Sequence, residues 1–173
     1  MKICTQEDYA DAVASDPGYC HWGRWAYYEA AASMIGGIDD TAIELGPHTC
    51  PLVRDGVCLD CHSSPASPRP MVVCDLDRDP IPFARDSFSV CVALQLLEHV
   101  LDPAKTLAEM LEVAPVAVVS LPWNWQTGDE THTRCGESWW DGVIGDSGRV
   151  LSSVIVNVNC AKPTRVFKLE RNR

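Results

Sequence analysis

A chain of 173 residues, 46% hydrophobic and carrying six tryptophans, has enough apolar surface for one well-cored domain and too much for a disordered segment. Its formal net charge of −10 opposes the clustered positive charge that phosphate-backbone binding requires, which argues against a nucleic-acid partner. The N-terminus turns acidic at Glu7-Asp8 without an apolar signal core, and no run reaches the roughly 18 apolar residues of a membrane span. A cytoplasmic chain with reduced cysteines and no membrane contact is therefore expected.

The first element in chain order is a helix from Tyr19 to Ile35, stopped by Gly36-Gly37. Five short apolar runs follow: Thr41–Gly46, Val57–Asp60, Met71–Asp75, Phe88–Leu94 and Val116–Leu121. They are continuously apolar rather than alternating, as parallel strands buried on both faces are. Between the last two, Asp102 is a natural N-cap and Pro103 suits the first helical turn. Ala104, Leu107, Ala108 and Leu111 then form one apolar stripe at helical spacing. A helix around Glu137–Ile144 precedes two β-rich runs, Leu151–Val158 and Thr164–Leu169, whose short connection suits a hairpin. The expected fold is α/β: a Rossmann-like doubly wound sheet, mostly parallel, ending in a C-terminal antiparallel hairpin.

The stretch Val57-Cys58-Leu59-Asp60-Cys61-His62 supports three chemistries. Cys58, Cys61 and His62 have the spacing of a c-type haem attachment, and paired cysteines can open a zinc site. A strand ending in an acid, here Asp60, is also how a nucleotide-binding fold sets a carboxylate beneath a ribose. Haem attachment normally follows export, and a zinc site of this kind needs a second ligand pair, which the chain does not supply at regular spacing. No metal is expected.

In an open α/β sheet, ligands lie outside the carboxyl ends of the strands. Those ends here read Glu44-Leu45-Gly46-Pro47, Asp60, Asp75-Leu76-Asp77, Gln95 with Glu98-His99, and Ser120-Leu121-Pro122-Trp123. Polar groups and glycine thus collect at one end of an otherwise apolar sheet. A dinucleotide site would want G-x-G-x-x-G after the first strand, whereas Gly46-Pro47-His48-Thr49-Cys50-Pro51 has a single glycine.

The run Val72 to Phe83, then Asp86-Ser87-Phe88-Ser89-Val90-Cys91-Val92, then Leu97-Glu98-His99-Val100-Leu101-Asp102-Pro103, closely resembles the class I S-adenosylmethionine-dependent methyltransferases. With Ile43-Glu44-Leu45-Gly46-Pro47 as the first-strand motif, the likeness covers roughly Ala42 to Pro122. It implies S-adenosyl-L-methionine as cofactor and methyl transfer to a small-molecule acceptor. Glu44, Gly46 and Pro47 would form the first cofactor motif and Asp60, followed by Cys61, would accept the ribose hydroxyls. Asp75 with Leu76 would border the adenine, and Gln95 would line the methionine side. The chain departs from the family pattern at His48 and Cys50, where further glycines are usual, and at Ser89, where an Asp is usual. The connection from Pro47 to Gly56 is short enough that its helix is expected to shrink to a turn.

Methyl transfer from a sulfonium is a direct displacement, so alignment supplies much of the catalysis, and a base helps where the acceptor carries a proton. His99 and His132 are the candidate bases. For both there is a plain structural alternative, a helix-start role for His99 and a loop histidine for His132. Trp123, Trp125, Trp139 and Trp140 could wall an acceptor pocket, although core packing explains the last two equally well. Residues 1–37 are read as a helical lid segment in which His21, Arg24 and Tyr28 could cover the cofactor. Residues 38–122 are the cofactor-binding core and 123–173 the acceptor side. The rival class is a non-catalytic, methyltransferase-like binding or regulatory protein. The oligomeric state is not legible in the sequence.

Overall fold

In the computed structural model, residues 1–18, 20, 22–38, 41–62, 71–125, 136–158 and 162–172 are described. They form strands β1 (Ala42–Leu45), β2 (Val57–Asp60), β3 (Met71–Val73), β4 (Val90–Leu94), β5 (Val116–Pro122), β6 (Gly148–Asn157) and β7 (Pro163–Arg171). The helices are α1 (Gln6–Ser15), α2 (Trp22–Ile35), α3 (Pro103–Val113) and α4 (Glu137–Ser147). The strands make one seven-stranded sheet in the order β3-β2-β1-β4-β5-β7-β6. β1 to β5 pair in parallel, and β7 is antiparallel to both β5 and β6. β7 alone therefore runs against the rest, because two reversals return β6 to the direction of β5.

The strand bodies alternate between two apolar layers even though both faces are buried. On β4, Val90 and Val92 face the layer that holds Tyr9 of α1 and Tyr27, Tyr28, Ala31 and Ile35 of α2. Cys91 and Ala93 face the opposite layer, with Leu107, Met110 and Leu111 of α3 and Trp140 and Ile144 of α4. Each of those large side chains contributes roughly 1.5–3 kcal/mol by leaving water. Of the stripe expected on α3 only Leu107 and Leu111 are buried; Ala104 is half-buried and Ala108 exposed, and the buried face is completed by Pro103, Thr106, Met110 and Val113. Asp102 caps that helix as expected, its side chain accepting from Lys105 N at 3.0 Å.

The N-terminal helix α1 is absent from the sequence-based outline. It starts in a capping box, with Thr5 Oγ1 accepting from Asp8 N at 3.2 Å and Asp8 Oδ2 accepting from Thr5 N at 2.9 Å. The chain before it runs along the β1–β2 connection, where Cys4 N donates to Leu52 O and Arg54 N donates to Lys2 O, each at 2.7 Å. That connection contains no helix, as its length predicted, and Gly56 lets it pass close to β1. A Cβ there would lie 2.7 Å from Ala42 O.

The two ends of the sheet differ. β1, β2 and β3 are three or four residues long, whereas β6 and β7 have ten and nine residues. β6 forms an edge, with Val150, Leu151, Val154 and Ile155 each more than 40% exposed. Among the described residues no helix is long and apolar enough to cross a membrane.

Candidate functional site

The backbone turns sharply as it leaves the sheet on the carboxyl side. Gly46, immediately after β1, has φ +60°, and Gln95, immediately after β4, has φ +53°. A Cβ on Gly46 would lie 2.8 Å from Leu96 Cδ1, so the glycine lets the β1 and β4 exits pack against each other. Gln95 has no such freedom, and a non-glycine residue held left-handed is a feature of functional loops. Ser120 on β5 holds it there: Gln95 N donates to Ser120 O at 3.0 Å and to Ser120 Oγ at 3.0 Å.

Two cavities open at these strand ends, and they share Gly46, Asp60, Leu96 and His99. The first, of about 140 Å³, lies over β2 and β3, where Leu59 and Leu76 offer apolar surface and Asp60 and Asp75 offer carboxylates. Cys61, Cys74, Asp77 and Val100 complete its wall. The loops around it are tied together. Asp77 Oδ1 accepts from Leu101 N at 2.7 Å, and Asp75 Oδ1 accepts from Asp77 N at 3.1 Å. Glu109 of α3 accepts from Ile81 N at 3.2 Å. Partial desolvation, then a hydrogen bond from its Sγ to Asp60, pushes the Cys61 thiol up. Desolvation, then Asp79, does the same to Cys74. Both shifts favour the protonated thiol. Cys58 is wholly buried inside β2 while Cys61 is exposed, so the two cysteines of the haem-like spacing occupy different environments.

The second cavity, of about 240 Å³, is framed by Arg24 of α2, His48, Gln95, Glu98 and Trp125, beyond the four shared residues. Glu98 is 4% exposed, and its Oε2 has no hydrogen-bond partner among the described residues. Burial pushes its carboxyl up to about 8, opposed first by a hydrogen bond from its own backbone N–H and then by the positive charge of Arg24.

Gly46, Asp60, Cys61, Asp75, Leu76, Gln95 and His99 thus converge on this cavity pair. His99 is exposed and stands on the shared wall. Glu44 and Pro47 line neither cavity. Glu44 is buried, and its two oxygens accept from Leu52 N at 3.0 Å and Val53 N at 2.9 Å, so it anchors the β1–β2 connection rather than facing the cavities. Tyr28 likewise donates to Cys50 O at 2.6 Å, and of the two covering residues among the described residues Arg24 lines a cavity of this pair and Tyr28 does not. His132 and His21 lie outside the described residues. Of the tryptophans, Trp125 lines the second cavity and donates its Nε1 hydrogen to Pro163 O at 2.6 Å. Trp123 and Trp140 are core residues, and Trp123 packs on Phe167. Glu98 stands among the strand-end residues read from the sequence but is given no role there, and Leu96 is not singled out. The signal for Glu98 was an acid inside the apolar run Leu96-Leu97-Glu98-His99-Val100.

Residues 50–115 match the family model described as a methyltransferase domain. Among curated proteins, none matches this sequence. Among solved structures, the chain is similar to a putative methyltransferase from Haloferax volcanii in complex with the Trm112 methyltransferase activator. That match has 16% identity, covers 97% of each chain and gives a TM-score of 0.68. A putative methyltransferase from Bacillus halodurans matches at 11% identity over 84% of this chain and 99% of its own, with a TM-score of 0.64. Magnesium protoporphyrin IX methyltransferase from Synechocystis, with bound S-adenosylhomocysteine, matches at 10% identity over 87% and 84%, with a TM-score of 0.62. At these identities the likeness is one of fold. The chain therefore has the class I S-adenosylmethionine-dependent methyltransferase fold and carries, over residues 50–115, a match to the methyltransferase domain family.

Proposed function

We propose that this chain binds S-adenosylmethionine and transfers its methyl group to a small-molecule acceptor. The observation that carries the reading is the pair of adjoining cavities at the strand ends, one edged by Asp60 and Asp75 and the other by Gln95, Glu98 and His99. A nucleoside with a charged amino-acid tail fits such a pair. The Gly46 cradle keeps the shared wall open.

In this reading Asp60 accepts from the ribose hydroxyls, while Asp75, beside Leu59 and Leu76, borders the adenine. Gln95, pinned by Ser120, holds the methionine end. When bound, the cofactor supplies an electrophilic methyl on a sulfonium. Arg24 and Trp125 narrow the mouth of the second cavity and restrict water. His99 takes the proton of a hydroxyl or ammonium acceptor at a ring nitrogen. Residues 1–37 then contribute one wall over the methionine end, 38–122 hold the cofactor, and 123–173 border the acceptor side.

Calorimetric titration with S-adenosylhomocysteine tests the reading. One site per chain is expected, weakened at least about tenfold by Asp60→Ala, as loss of charge-assisted hydrogen bonds implies. Absence of binding would remove the enzyme reading and favour the non-catalytic one. A second reading is favoured by the near end-to-end similarity to the archaeal protein in complex with an activator. Under it, this chain is the catalytic half of a two-chain enzyme. Recovery of a stoichiometric small partner with the tagged chain, with a gain in activity, would support it; full activity of the isolated chain would dismiss it.

A further inference from the structure

A buried carboxyl oxygen without a hydrogen-bond partner is costly unless something met only in the working state satisfies it. Glu98 carries one. It is 4% exposed, Oε2 is unpartnered among the described residues, and the residue lines the second cavity. Its setting also separates it from the cavity's other acid. Asp60 ends β2 and stands half-buried between both cavities, where hydroxyls can reach it, whereas Glu98 is enclosed. The ionisable groups that share the cavity with Glu98 come from each surrounding element: Arg24 from α2, His48 from the β1–β2 connection, Asp60 from β2 and His99 from its own loop. A hydrogen bond from its own backbone N–H and then Arg24 favour the ionised form of Glu98, but burial outweighs both and favours the neutral acid.

A neutral acid in the wall of a cavity becomes a charge when a cation enters nearby. The cavity next to the proposed nucleoside site is where the sulfur of the cofactor would lie. We propose that Glu98 senses the charge on that sulfur, ionising when the sulfonium form is bound and reprotonating when only the neutral thioether remains. The proposal rests on reading the cavity pair as the S-adenosylmethionine site. The proton count closes. One proton leaves Glu98 for solvent on binding, and one returns after transfer, matching the proton shed by a hydroxyl, thiol or ammonium acceptor. The consequence is selective retention: the charged cofactor gains an ion pair that the spent product lacks, so product inhibition is relieved without any change of shape.

The test is calorimetry of the intact protein in two buffers of different ionisation enthalpy, titrating S-adenosylmethionine, S-adenosylhomocysteine and sinefungin, which carries an ammonium in place of the methylsulfonium. At pH 7 the two cationic ligands are expected to release about one proton per site and the thioether close to none. Affinity for the cationic ligands should rise by up to about tenfold per pH unit between pH 6 and 8 and then level off, while that for S-adenosylhomocysteine stays flat. Glu98→Gln should abolish both the release and the slope and leave S-adenosylhomocysteine affinity within about twofold. Equal proton release by all three ligands would overturn the proposal. So would a slope that survives in Glu98→Gln, since His48 or His99 would then be its source. The wild-type buffer comparison stands alone if the variant does not fold. Failure of every ligand to bind is a different outcome and rejects the underlying site.

Discussion

Two connections leave the carboxyl end of this sheet near a buried glutamate, and they use it in opposite ways. In the β1–β2 connection, Glu44 accepts from two backbone N–H groups, Leu52 and Val53, and faces neither cavity. In the β4–α3 connection, Glu98 leaves Oε2 buried and unpartnered among the described residues, and the residue lines a cavity. Burial is the same within a few per cent, at 1% and 4% exposure. Exposure therefore does not tell the two apart; the hydrogen bonds do, with Glu44 satisfied by the backbone and Glu98 left with one unpartnered oxygen among the described residues.

The largest effect should come from Glu44. Replacing it with Ala strands two buried N–H donors, each costing about 1–3 kcal/mol, so denaturant unfolding should show a loss of roughly 2–5 kcal/mol. A neutral Glu44→Ala would break the comparison at its structural side.

Glu98 predicts a pH signature of the opposite sense from a paired acid. Its folded-state value, about 8, lies above the ordinary 4.5, so its contribution to stability is fully present below about pH 4.5 and is lost as pH rises toward 8. The stability of the wild type relative to Glu98→Gln should therefore fall between pH 5 and pH 8.5, by an amount on the order of a few kcal/mol. A difference that grows with pH would mean that Glu98 is ionised and paired in the folded protein.

Gly46 sharpens the comparison at the wall shared by the two cavities. Gly46→Ala forces a side chain onto φ +60° and presses on Leu96, a flexible neighbour, so the stability cost should be about 1 kcal/mol. S-Adenosylhomocysteine affinity should fall with it. Unchanged binding would argue that the β1 exit does not contact the ligand.

Much of this arrangement is legible in the sequence, because each central strand is a continuous apolar run that stops at a polar residue. Gly46, Asp60, Asp75 and Gln95 could be read in that way. The side-chain role of Glu44 is not legible by the same logic: it sits one residue before a strand's last position, and its partners at Leu52 and Val53 depend on how the following loop folds back. Glu98 looks like the polar start of a helix, and only the packed structure reveals that it is enclosed. Helix α1 escaped notice because it buries a single residue, Tyr9, leaving little amphipathic pattern, although Thr5 and Asp8 already carried its capping signal. Trp123 lay at a strand end like the cavity residues, yet packing on Phe167 draws it into the core while Trp125 faces the cavity.

The most direct measurement is a structure of the protein with S-adenosylhomocysteine bound. The account predicts the ribose hydroxyls on Asp60, the adenine beside Leu59, Leu76 and Asp75, and the sulfur in the cavity that Glu98 lines, with Glu44 still bonded to Leu52 and Val53. A ligand seated elsewhere, or one whose sulfur lies away from the Glu98 cavity, would contradict it.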